Sequence, residues 1–256
     1  MSGYPYPQPS GLPTVQGLYD VLRSGHRNLE PDRESADAIT AVYPDIGGCL
    51  RKEHGFASRA VTWAAQRGVG QYIVAAAGMP APQGLNVHEI ARRVLPAARA
   101  VYTGSDPYAI AYTAALLAEG DPGVAAVNGD FWSPRPWLKD PALTGLLDFG
   151  RPVCVVARMI MHFIPPGEAA NVIAELTEPL AAGSRLVVSA WLPPPAELAR
   201  LLASVGAVYE PTPDDMSTWL KGAGLELEPP GIVGVRAWPL ATRPGGHVAG
   251  AVAVKR

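Results

Sequence analysis

Five histidines, two cysteines and a few clustered acids are the side chains of this 256-residue chain with the most chemical reach. His26, His54, His88, His162 and His247 include no pair at i, i+4, the spacing that sets two imidazoles on one helix face, so no metal site is expected. Cys49 and Cys154 are too few and too far apart for a zinc set or a disulfide framework. Cys154 lies in the apolar run Val153-Cys154-Val155-Val156, where a thiol behaves as a small hydrophobe. No Gly-x-Ser-x-Gly elbow and no P-loop lysine occur, which removes serine-hydrolase and nucleotide-hydrolase chemistry. Asp214-Asp215 follows Thr212-Pro213, where carboxylates favour the positive end of a helix, and reads as structural. Arg158 stands just past the apolar run. Facing a cleft, its planar fork would suit a carboxylate or phosphate and would repel a cation unless a carboxylate intervened. Facing outward, it would be a surface ion pair.

Such groups need elements to position them. From Gly17 to Gly68 the sequence reads as helix in two or three pieces, with Pro31-Asp32-Arg33-Glu34 as a helix start and Pro44 as an interruption. An alternation follows. Strands are expected over 71–76, 99–103, 124–128, 153–157 and 185–190, and helices from Asn86, over 107–118, 166–181 and 196–205. Asn86 and Glu89 form a capping-box pair. A helix from Thr212 and two late strands, 232–237 and 248–254, complete the chain. Strands spaced by helices predict a mainly parallel sheet covered on both faces, and the two late strands an antiparallel hairpin at one edge. Ligands on such sheets bind beyond the carboxyl ends of the strands.

Hydrophobic residues make up 48 % of the chain, and the formal net charge is −2. That supplies a core and argues against nucleic acid or an anionic membrane as a partner, since both select for clustered Lys and Arg. A small-molecule ligand is the expected partner, and a homo-oligomer is compatible with the composition. Residues 1–16 read as a flexible leader without the charged start and apolar stretch of a signal peptide, and a cytoplasmic location is expected.

Several short segments carry a resemblance: Tyr19-Asp20-Val21-Leu22-Arg23-Ser24-Gly25-His26, Pro31-Asp32-Arg33, Asn86-Val87-His88-Glu89, Ser105-Asp106-Pro107 and Met161-His162-Phe163-Ile164-Pro165. Trp219, Gly224 and Gly231-Ile232-Val233 to Trp238 add to them. In order and spacing they resemble an actinobacterial family of S-adenosylmethionine (SAM) methyltransferases, long catalogued as a domain of unknown function. That family's segments read Tyr-Asp-Tyr-Leu-Leu-Gly-Gly-Lys, Ala-Asp-Arg, Asn-Val-His-Glu, Asn-Asp-Pro and Leu-His-Phe-Ile-Pro. The resemblance runs from about Gly17 to near the end. It implies the class I SAM-methyltransferase (Rossmann-like) α/β fold, a seven-stranded, mainly parallel sheet with an antiparallel edge hairpin, after an N-terminal helical cap over 17–68. It also implies a cofactor site at Gly78, Gly104, Asp106, Asp130 and Phe131. His162, after the fourth strand, would be either a general base near the methyl acceptor, with Arg158 beside it, or a packed, hydrogen-bonded histidine; Tyr19, His26, Arg33 and Trp191 are candidates to line a substrate pocket, Trp191 equally a core anchor.

Departures from the family bear on function. Its first loop, Asp-Ile-Gly-Thr-Gly-Leu-Pro, is met here by Val74-Ala75-Ala76-Ala77-Gly78-Met79-Pro80, without the acid or the first glycine. The acid that accepts the ribose hydroxyls at the end of the second strand is met by Gly104. Asp106, two positions on, is placed to start a helix, while Gly129-Asp130-Phe131 keeps the third motif. Losing the ribose acceptor should cost about 1.5–3 kcal/mol, or roughly one to two decades of affinity. SAM binding is therefore expected to be weak or absent, and aspartates restored at 74 and 104 are expected to strengthen it. Three readings follow. The chain is a small-molecule methyltransferase of bacterial specialised metabolism with weakened SAM contacts, the same fold reused for a cyclisation or elimination without methyl transfer, or a non-catalytic binding protein.

Overall fold

The structure is a computed structural model that describes residues 11–82, 85–192, 199–200, 202–203, 208–240 and 247–256. Most of the helix expected over 196–205 and all of Pro193-Pro194-Pro195 lie outside the described residues, as does the leader before residue 11.

Three helices come first: α1 (Val15–Leu22), α2 (Glu30–Val42) and α3 (Ile46–Gln66). Pro31 sits in the first turn of α2, where its missing N–H is no loss, and Pro44 falls in the break before α3. The alternation then runs β1 (Gln71–Ala75), α4 (Val87–Arg92), β2 (Arg99–Gly104), α5 (Pro107–Thr113), β3 (Val124–Asn128), α6 (Pro134–Trp137), α7 (Pro141–Thr144), β4 (Cys154–Ala157), α8 (Ala169–Thr177) and β5 (Arg185–Trp191). The last part holds α9 (Pro213–Gly222), β6 (Leu225–Leu227), β7 (Val233–Gly234) and β8 (Val248–Lys255). Caps mark several starts. Asn86 and Glu89 close a capping box on α4, and Thr212 and Asp215 close one on α9.

The sheet has eight strands rather than the expected seven, in the order β3-β2-β1-β4-β5-β8-β6, with β7 paired to β8. β1 to β5 are parallel neighbours; β8 lies antiparallel to β5, β6 and β7. The two late strands pair antiparallel as expected, Val233–Gly234 of β7 against Ala249 and Gly250 of β8, but the first is short and β8 also lies between β5 and β6. Leu225–Leu227 went unseen because three residues directly after a helix are too few to show an alternation.

Period-2 alternation sends the strand side chains to two cores. Tyr72, Val74, Tyr102, Val156, Val187 and Val252 pack under α1 to α4 on one face. Ile73, Ala75, Val101, Val155, Val188 and Ala251 pack under α6 to α9 on the other. β4 is buried along its whole length, which is why it reads as an unbroken apolar run. No helix among the described residues is long and apolar enough to cross a membrane.

Candidate functional site

A cavity of about 120 Å³ opens beyond the carboxyl ends of β1 and β4. Its walls are Tyr19 of α1, Arg23 just past its end, Glu53 of α3, the segment Val74–Ala81, Tyr102 of β2, and Arg158 and Met159 after β4. Tyr19 on α1 and Arg23 at its C-cap both reach the cavity.

The loop after β1 fixes the shape of this cavity. Ala76 adopts a φ of 54°, in the left-handed region that favours glycine. The Ala77 N–H then donates to the Thr103 carbonyl at 2.7 Å, tying the loop across the end of β2. Consequently a β-carbon at Gly104 would lie 2.9 Å from the Ala77 carbonyl oxygen, closer than carbon and oxygen pack. A side chain at 104 would therefore have to displace the Ala77 carbonyl.

On the β4 side the charged groups are buried and mutually satisfied. Arg158 clasps Glu53 with its Nε at 3.0 Å from Oε1 and a second contact from Nη2 to Oε2. The Ser189 hydroxyl donates to Glu53 Oε1 at 2.8 Å and accepts the Met159 N–H at 2.9 Å. Met159 itself holds a φ of 50°. Burial works against the Glu53 charge, but Arg158 and Ser189 together outweigh it and hold the carboxyl below its ordinary value. Glu53 keeps 2 % of its side chain accessible and Arg158 19 %, so the arginine forms the cavity wall and the glutamate stands behind it. Arg158 is thus neither an outward surface pair nor an uncompensated charge.

His162 is completely enclosed and does not line the cavity. The Trp191 N–H approaches its Nδ1 at 3.4 Å and Tyr19 Oη lies 3.2 Å from its Nε2. Because a backbone N–H can only donate, Nδ1 accepts and the single proton of the neutral ring sits on Nε2, pointing at Tyr19. Burial pushes the imidazole pKa down to about 3, so the ring stays neutral. This is the geometry of a packed histidine joining β5 to α1. A proton from a ligand in the cavity would have to pass Tyr19 to reach it. Trp191 is also fully enclosed, and its indole N–H donates to Tyr19 Oη at 3.3 Å.

The other sequence candidates divide. Gly78 lines the cavity, with Arg23 Nη2 3.8 Å from where its β-carbon would be. Asp106 caps α5, its Oδ1 accepting the N–H groups of Tyr108 and Ala109. Asp130 is exposed at the end of the edge strand β3, with its carboxylate bound to the Trp132 N–H. Phe131 is packed in the core against the edge of Trp132. His26 is exposed, and Arg33 is exposed and bonded to Asn28, so neither reaches the cavity. His88 is buried, with its Nδ1 and the Tyr102 hydroxyl 2.8 Å apart. Arg23, Glu53 and Tyr102 were missed. Arg23 had a signal, since it stands where the family's signature carries leucine, whereas Glu53 lies in an ordinary helical stretch.

Residues 9–253 match the S-adenosyl methyltransferase family. The chain belongs to this family. A candidate methyltransferase from Thermobifida fusca YX superposes with a TM-score of 0.89 at 27 % identity, covering 99 % of this chain and 100 % of that one. A DUF574 family protein from Streptomyces avermitilis MA-4680 superposes with a TM-score of 0.86 at 29 % identity, over 96 % and 98 %. The fold is therefore that of the class I methyltransferases, with one strand more than expected. No curated protein sequence matches the chain. Within the family signature, Ser24 (φ 63°) and Ala76 both hold glycine's backbone conformation where the family carries glycine itself. The turns have been kept and the residue type has not.

Proposed function

We propose that the chain is a small-molecule enzyme of the methyltransferase family whose affinity for SAM is weakened. The observation that carries this reading is the closed space at Gly104, where Ala77 stands over the position of the ribose acceptor. Two further features agree. Ligand sites are usually roughly 300–1,000 Å³, and the cavity of about 120 Å³ is too small for a cofactor of SAM's size without movement of the β1 loop. Asp106 and Asp130, the acids left on the β2 and β3 side, are bound to N–H groups of their own turns. The residues present do not fit SAM in this arrangement, and no reaction step is routed through it.

What the chain's residues can do is bind and exclude water. Tyr19 lines the cavity and is held from behind by the enclosed His162 and Trp191, and Arg158 with Glu53 forms an ion pair beside it. His162 acts here by holding Tyr19 rather than by touching substrate. Calorimetric titration with SAM and S-adenosylhomocysteine tests the reading. Dissociation constants at or above the millimolar range are expected; micromolar binding would overturn weakened affinity. One observation favours reuse of the fold without methyl transfer. The cavity wall holds two guanidinium groups against one carboxylate, a surplus that disfavours a sulfonium.

A further inference from the structure

We propose that Arg23 binds the carboxylate of the cavity's small-molecule ligand. This rests on the reading that the cavity is the ligand site and adds to it the chemical class of the ligand. Two observations carry the assignment.

The first is the partner count. Glu53, the acid on the cavity wall, is taken by Arg158 and Ser189. Asp20, on the helix that Arg23 caps, accepts the Arg27 N–H at 2.7 Å and the Asn28 amide at 2.9 Å on its Oδ2, and acts on Arg23 through its field without an ion pair. Arg23 itself gives only its Nε–H, to the Tyr19 carbonyl at 3.0 Å. Among the described residues no carboxylate forms an ion pair with it, and its Nη groups have no protein acceptor. A guanidinium remains charged at any working pH, so burying it without a counter-charge is costly unless a ligand supplies one.

The second is direction. Arg23 lines the cavity, and its Nη2 comes within 3.8 Å of the β-carbon position at Gly78, so the fork lies beside the floor of the β1 loop. Arg158 on the same wall adds to the field and, after burial itself, pushes Arg23 furthest below its ordinary value. An anion placed at the fork relieves both penalties.

A planar fork with two free Nη groups matches a carboxylate in bidentate fashion, and the small cavity suits a compact acid. The carboxylate has two chemical sources, the amino-acid tail of an adenosyl cofactor or an acidic substrate. The test uses the full chain and its Arg23→Leu variant, with Arg23→Lys as a second variant that keeps the charge and loses the fork. Each is titrated calorimetrically with S-adenosylhomocysteine, with 5′-methylthioadenosine, which lacks the amino-acid tail, and with benzoate. At least one carboxylate probe is expected to bind the wild type roughly ten- to a hundredfold tighter than Arg23→Leu, with Arg23→Lys between them. If S-adenosylhomocysteine shows that ratio and 5′-methylthioadenosine does not, the carboxylate is the cofactor's. If only benzoate shows it, the carboxylate is the substrate's. Equal binding of both carboxylates to wild type and Arg23→Leu, or binding of neither to the wild type, overturns the assignment. The absolute affinity for SAM, on which weakened cofactor binding depends, is a separate reading and can fail independently of this ratio.

Discussion

The two halves of the sheet treat their charged groups in opposite ways. At the β4–β5 side, Arg158, Glu53 and Ser189 are drawn into the core and bonded to one another across α3, β4 and β5. At the β2–β3 side, Asp106 and Asp130 stay near the surface and are bound to their own helix or turn. Long-range pairing on one side makes a rigid wall whose chemistry is set by tertiary contacts. Local capping on the other leaves each acid bound through one oxygen, Oδ1, to N–H groups of its own turn.

The largest break in this comparison comes from Glu53→Gln. It strands the buried Arg158 charge, and a loss of about 3–5 kcal/mol in urea unfolding is expected. The matching substitution on the other side, Asp130→Asn, should fall within about 0.5 kcal/mol. The Glu53 carboxyl is depressed in the folded protein, so its contribution is full above the ordinary value of 4.5 and is lost as the pH falls through the folded value. Stability curves against pH should show this acid loss in the wild type and less of it in Glu53→Gln.

Next in size is Gly104→Asp. Its β-carbon meets the Ala77 carbonyl, so a destabilisation of about 1–3 kcal/mol is expected, with no tightening of SAM in calorimetry. A gain in affinity would restore the simple picture of a missing ribose acceptor.

His162 sharpens the contrast through pH. Its folded pKa is lowered from 6.5 to about 3, so the unfolded chain takes up a proton that the native state refuses. Stability from this group is complete above pH 6.5 and falls by about 1.4 kcal/mol per pH unit below it, towards the folded value near 3. His162→Phe should remove one proton's share of that slope, measured by denaturation between pH 6.5 and 4.5. An unchanged slope would mean that the ring is not held neutral.

The smallest effect concerns the loop between the two sides. Ala76→Gly relieves a left-handed φ and should stabilise the fold by about 0.5–1 kcal/mol, after the greater freedom of glycine in the unfolded chain is allowed for. Thermal melting of the single variant suffices to read it.

Much of this molecule was legible in its sequence, for identifiable reasons. The parallel strands were found because β1, β2, β3, β4 and β5 carry apolar runs bounded by turns and caps, and those signals are local. The insertion of β8 between β5 and β6 was not legible, because pairing order is a non-local property that two similar late strands do not encode. The site divided along the same line. Val74–Pro80 stood out by its position after a strand, and the loop does line the cavity. Glu53 could not be found, since its partners are 105 and 136 residues away along the chain. Arg158 could be suspected but not assigned, for its meaning depends wholly on that hidden carboxylate.

The bond from Ala77 to Thr103 also constrains how this protein can change. With the loop latched across β2, substitutions at 104 are filtered almost to glycine, while the loop is free to vary only as long as 104 stays glycine. Position 104 is therefore costly to alter first, and the route to a different pocket starts in the loop. A library that varies 76–79 and 104 together would sample pockets that single steps cannot reach.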